Sequence, residues 1–292
     1  MIRSTPVVSA EMKSRSLRLA CADFTFPLLS LDQALDLICS LGFKGVDIGF
    51  FAAGGHLDIS RELENPRLSA RRLLRKLERR GLHLADLFLV PGRSFGEMSP
   101  NHPDATMRRR AREQFRQVVE YVRLAGGRHV GGLPGIPWKQ ERRVDSFERA
   151  CEELAWRVEH ARNHGVVYSV EPHIGSIAPR PRDAERLVNA VPGLTLTLDY
   201  THFTRAGIPD ADVEPLLKHA SHFHCRGGRK GRLQCSFKDN TIDYTRVLEV
   251  MAKVGYRGYI ALEYVWSPWE KCNEADTLSE TILFRNFFSK PL

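Results

Sequence analysis

At 292 residues, with 42% hydrophobic and 27% charged side chains, the chain has the make-up of a globular protein large enough to bury one full core. The formal charge of +8 suits an anionic partner, but its basic clusters (Arg71 to Arg80, Arg108 to Arg112) fall within helical patterns. Charge there marks the solvated face, so a nucleic-acid partner is not expected. No apolar run approaches the roughly 20 residues of a membrane span, and the six cysteines, without a CxxC pair, point to a reduced, cytoplasmic setting.

Residues 1–16 are basic and contain serine but lack the apolar centre of a secretory signal, and read as a flexible arm. Leu17 to Ala22 reads as a first strand, followed by a helix that starts at Ser30/Leu31 and is ended by Gly42. Gly45 to Ile48 is a second strand, with a loop holding Gly54, Gly55 and His56 after it. A helix from Pro66 to Arg80 stops at Gly81, and Leu82 to Val90 is the third strand. The loop Pro91 to Pro103 is long enough to cover a site. A helix from Ala105 to Leu124 and a strand from His129 to Gly132 follow, then a loop carrying Trp138.

The second half repeats the alternation more sharply. A helix from Asp145 to Asn163 leads to a strand ending at Glu171, and a shorter helix from Asp183 to Asn189 to one ending at Asp199. Asp212 to His219 connects to the strand Ala220 to His224. The helix Asp243 to Val254 precedes the strand Gly258 to Glu263, and a helix from Glu274 to Phe288 closes the chain. Eight strand–helix units imply one α/β domain over residues 17–292.

Four of the apolar runs end in residues with metal-binding heads: Glu171, Asp199, His224 and Glu263. They stand 28, 25 and 39 residues apart, one βα unit each, the last enlarged by the loop Arg226 to Asn240. A doubly wound sheet shares the alternation, but it does not readily gather four consecutive strand ends. A closed (β/α)₈ TIM barrel does, because its C-terminal strand ends face one point. Three carboxylates and one imidazole suit one divalent ion, Mn, Mg, Co or Zn.

Glu171-Pro-His-Ile-Gly-Ser176, Leu198-Asp-Tyr-Thr-His202, His222-Phe-His224 and Leu262-Glu263 resemble the xylose isomerase-like TIM-barrel superfamily, sugar phosphate isomerase/epimerase branch. The resemblance implies one divalent metal on Glu171, Asp199, His224 and Glu263, with the two glutamates also exchanging the substrate proton. It implies an isomerase or epimerase of a sugar, sugar phosphate or polyol, working through a metal-stabilised enediolate. His202 then contacts substrate or metal, and the expected partner is a small sugar; a homo-oligomer is left open.

Ketose 3-epimerases carry a Glu where this chain has Ile177 and an Arg where it has Lys230, so hexulose specificity is not implied. His173, Arg226 and Trp138 are further substrate-binding candidates, and Trp266, Asp47, His56, Asp86 and Lys238 lie on strand ends or loops that could reach a sugar. His222, alternating with His224, is expected deeper in the barrel. Two other chemistries share this ligand pattern. One is an inosose dehydratase-like lyase. The other is an endonuclease IV-like repair nuclease, which needs extra ligands such as Asp239, His56 or His102.

Overall fold

The computed structural model describes residues 17–290, so the expected N-terminal arm lies outside the described residues. Eight parallel strands close into a ring: β1 (Leu19–Ala22), β2 (Gly45–Phe51), β3 (His83–Val90), β4 (His129–Gly132), β5 (Val167–Val170), β6 (Thr195–Asp199), β7 (Ala220–Cys225) and β8 (Ile260–Leu262). Ala20 closes it, lying in register with Gly45 of β2 on one side and Ala261 of β8 on the other. This is a single (β/α)₈ barrel.

The covering helices start and stop where local chemistry dictates. Helix α1 (Leu31–Ser40) opens on a capping box, in which Ser30 and Gln33 each accept from the other's backbone N–H, and the chain turns away at Gly42 with φ +86°. Asn65 caps α2 (Pro66–Glu78), whose first position is the proline that needs no amide partner. Helices α3 (Ala105–Leu124), α4 (Arg143–Asn163), α5 (Pro181–Ala190), α6 (Tyr244–Lys253) and α7 (Thr277–Phe288) continue the layer. Their apolar stripes meet the outward strand residues, such as Ile48, Phe50, Leu87 and Val130, in one core between ring and helices.

Three segments differ from the sequence expectation. The connection after β6, expected over Asp212 to His219, is a longer run of short turns at Thr201–Arg205, Asp210–Val213 and Glu214–His219, broken by Gly207 and two prolines. The loop after β7 folds into a small antiparallel hairpin, Gly227–Arg229 with Arg232–Cys235. The last helix begins at Thr277 and not at Glu274, because Ala275 and Asp276 are extended and the Asp276 side chain caps the first turn.

Inside the ring the packing is polar where branched apolar side chains are usual. Asp47, Asp86, Ser169, Thr197 and His222 are all buried there. Asp47 accepts from His222 (2.7 Å), and Asp86 takes His129 Nδ1 (2.6 Å) and the Gly131 amide (2.7 Å). Gly131 is required, since a Cβ there would stand 2.6 Å from the Asp86 carboxylate. This layer forms the floor beneath the strand ends.

Candidate metal centre

Glu171 follows β5 directly, Asp199 is the last residue of β6, His224 sits near the end of β7 and Glu263 follows β8. All four are buried, and Glu171 and Glu263 line the cavity at the C-terminal mouth. His224 Nδ1 lies 2.8 Å from Glu171 Oε1 and 3.3 Å from Glu263 Oε2. Burial would push the Glu171 carboxyl up, but the neighbouring His202 and His224 imidazoles outweigh it and hold the group well below the usual carboxylate range. His224 is the mirror case: burial lowers it, and Glu263, Asp47 and Glu171 raise it well above an ordinary imidazole.

Three groups of donors lie close together: Asp47, Asp86, His222 and His224 in the floor, and two at the strand ends that share Glu171. Glu171, His224 and Glu263 converge on one side, and Glu171, Asp199 and His202 on the other, with donor atoms within 4.8 Å of one another in each. Asp199 is the most heavily engaged, accepting from Thr201 N (2.8 Å), Thr201 Oγ1 (2.7 Å) and Arg226 Nη2 (2.7 Å). His202 Nδ1 accepts from the Ile174 amide, which in the neutral ring puts the proton on Nε2, 3.6 Å from both Glu171 and Asp199.

Arg226, two residues past His224, is buried between the carboxylates. It reaches Asp199 at 2.7 Å and the Glu263 carbonyl at 3.2 Å, with Glu263 Oε2 at 3.4 Å. It therefore supplies positive charge inside the site as well as lining the cavity. His173 donates from Nδ1 to the Ile174 carbonyl (2.6 Å), and burial together with His202 pushes it down to about 4, so it faces the cavity as a neutral acceptor.

A cavity of about 230 Å³ lies over these residues and is lined by Glu171, His173, His202, Arg226 and Glu263. Trp266 stands at its mouth. Trp138 does not line it: its indole packs edge-on against His102, and its Nε1 reaches Asn101 at 3.3 Å. Asp47 and Asp86 belong to the barrel floor, and His56 is held by Asp23 (2.9 Å) and the Leu29 carbonyl (3.0 Å). Lys238 is exposed on the turn after the hairpin, and Asp239 beside it bonds Ser236. The extra residues on which a multi-metal nuclease would draw are thus engaged away from the centre.

Sequence reasoning missed the aromatic wall above the carboxylates, Phe24, Phe51, Phe88, Phe95 and Trp269. Phe51 ends β2 and Phe24 lies two residues past β1, positions that the sequence offered and the motif pattern did not mark.

The family model described as xylose isomerase-like TIM barrel matches residues 35–285. The chain belongs to that family. The rhizopine catabolism protein MocC of Rhizobium meliloti is 26% identical over 266 residues, covering 82% of this chain and 75% of that protein. The D-psicose 3-epimerase of Clostridium cellulolyticum H10 superposes with a TM-score of 0.72 at 16% identity, over 94% of this chain and 98% of that one. A xylose isomerase-like TIM-barrel protein from Mycobacterium smegmatis, solved in complex with magnesium, gives 0.70 at 14% identity, over 93% and 95%. Likeness at this identity speaks for the fold.

Proposed function

We propose that this family member is an isomerase or epimerase of a sugar or related polyol, moving a proton on the carbon beside a carbonyl. The observation that carries the reading is the placement of Glu171 and Glu263, which stand 2.8 and 3.3 Å from the same His224 nitrogen and both line the cavity. Two carboxylates flanking one small volume can address the two faces of one substrate carbon.

The donor set fits a divalent cation. Glu263 Oε2 is buried without a hydrogen-bond partner, and oxygen donors with one imidazole suit a hard or borderline ion. Glu171, His224 and Glu263 would hold it, with Asp199 as the fourth donor once it shares its oxygen with Arg226. When bound, such an ion polarises a carbonyl and makes the neighbouring C–H more acidic. The magnesium complex of the Mycobacterium protein supports this assignment.

Glu171, kept ionised by its imidazole neighbours, takes the proton; Glu263, in its protonated form, delivers another from across the cavity, and exchange with solvent resets the pair. His202 offers a donor on Nε2 and His173 an acceptor, so between them they can orient a substrate hydroxyl and its oxygen neighbour. The described cysteines are all free, in keeping with a reducing compartment.

The test is a screen of ketoses, inososes and sugar phosphates with Mn²⁺ or Mg²⁺ in deuterated water, followed by NMR. Deuterium entering a substrate carbon, with a change of configuration or a shift of the carbonyl to the neighbouring carbon, is the expected result. Loss of water from the substrate would move the protein to the lyases, and no exchange on any of them would overturn the reading.

A further inference from the structure

The chain from Val265 to Glu274, which follows β8, is held unusually firmly for a loop. Gln234 of the hairpin accepts from the Val265 amide and donates to the carbonyls of Val265 and Cys272, all at 2.8 Å. Arg205 grips Glu270 with two hydrogen bonds, 2.6 and 2.9 Å, and Arg232 holds Glu274 at 2.5 Å. Those contacts maintain left-handed backbone at Glu270 and Lys271, a conformation that side-chain-bearing residues resist.

What this braced loop presents is apolar. Trp266 and Trp269 line the cavity mouth while remaining 46% and 42% exposed, and Phe95, 40% exposed, approaches from the loop after β3. The Phe95 ring lies 6.2 Å from Trp269 and 4.6 Å from His173, which joins the rim to the inner polar group. Phe24, Phe51 and Phe88 continue the wall inward. Large aromatics held in water beside a polar centre mark a surface that a ligand covers.

Charge at the opening excludes one class of substrate. Among the described residues, Arg226 is the one arginine or lysine lining the cavity, and it is committed to Asp199 and Glu263. Arg229 and Lys230 of the hairpin are exposed and do not line it. TIM barrels that bind phosphate use the loops after the last two strands. Here the last of those loops contributes two indoles.

We propose that the mouth is a subsite for an uncharged, flat apolar substituent, so that the substrate is a glycoside-like polyol with an aromatic group and not a sugar phosphate. This rests on the reading of the inner centre as a polyol site, and adds the class of molecule that fills it. The polar end of such a substrate would meet Glu171, His202 and Glu263, and its ring would lie between Trp266, Trp269 and Phe95.

Calorimetric titration of the Mn²⁺-supplemented protein with phenyl β-D-glucopyranoside, methyl β-D-glucopyranoside and glucose 6-phosphate tests it. The phenyl compound should bind about tenfold more tightly than the methyl one, the size expected for one aromatic contact with its buried area. Trp269→Ala and, independently on another loop, Phe95→Ala should each erase most of that difference. Equal affinities, no binding of the phenyl compound, tightest binding of the phosphate, or a preference untouched by both substitutions would overturn the proposal. Solvent exchange at the substrate carbon is read separately. Exchange without the phenyl preference defeats only the subsite, and the preference without exchange defeats only the reaction.

Discussion

His224 Nε2 lies 3.4 Å from Asp47 Oδ2, so the imidazole whose other nitrogen faces Glu171 and Glu263 is backed by a carboxylate from the barrel floor. Such a carboxylate fixes which nitrogen carries the proton and leaves Nδ1 free to ligate. Asp47→Asn should therefore weaken Mn²⁺ binding by about 10- to 100-fold. Titration of the metal into wild type and variant checks this, and unchanged affinity would show that His224 is oriented by packing alone.

Glu171→Gln and Glu263→Gln should each lower solvent exchange at the substrate carbon by about 10² to 10⁴-fold, the range for losing a positioned acid or base. Circular dichroism should show the fold retained. Exchange at wild-type rate in either variant would remove that residue from the proton path.

Arg226 offers a different measurement. It is a buried cation between Asp199 and Glu263, and its removal leaves those carboxylates without their counter-charge. Arg226→Met should cost the metal-free protein about 3–5 kcal/mol in urea unfolding. Added Mn²⁺ should stabilise the variant more than the wild type, because binding to the folded state alone raises stability and the variant has more uncompensated charge. An equal metal effect in the two proteins would be evidence against Arg226 as the internal counterion.

The brace between Asp23 and His56 makes stability depend on pH. Burial lowers the His56 pKa, but the hydrogen bond and charge of Asp23 outweigh it, leaving the group raised above its ordinary value of 6.5. A raised folded-state pKa stabilises fully below the unfolded value and is lost as pH rises through the folded one. The stability gap between wild type and His56→Ala should thus be largest near about pH 6, at about 1.5–3 kcal/mol for a hydrogen bond to a charged partner, and narrow toward alkaline pH. A gap that does not change with pH would mean that His56 braces the loop as a neutral ring.

The ring and its ligand-bearing ends were legible because each depends on local pattern. Short apolar runs form strands, and a polar residue at the end of one shows at once, as with Asp199 and Glu263. Helix limits set by capping residues, Ser30 and Asp243 among them, were equally accessible. Partnership across the ring was not. Nothing near Arg226 in sequence announces that it grips Asp199, 27 residues earlier, or that His222 takes Asp47, 175 residues away. Trp138 and Trp269 likewise sit on loops of similar composition, and only packing sends one against His102 and the other to the cavity.

The polar floor also bears on how this scaffold can change. Asp47 with His222, and Asp86 with His129 and the Gly131 amide, are locked together so closely that altering one member strands another in the dry interior. Diversification toward new specificities, in a laboratory library or by natural drift, should be confined to the aromatic loops, while the midsection of the ring accepts only paired, compensating replacements.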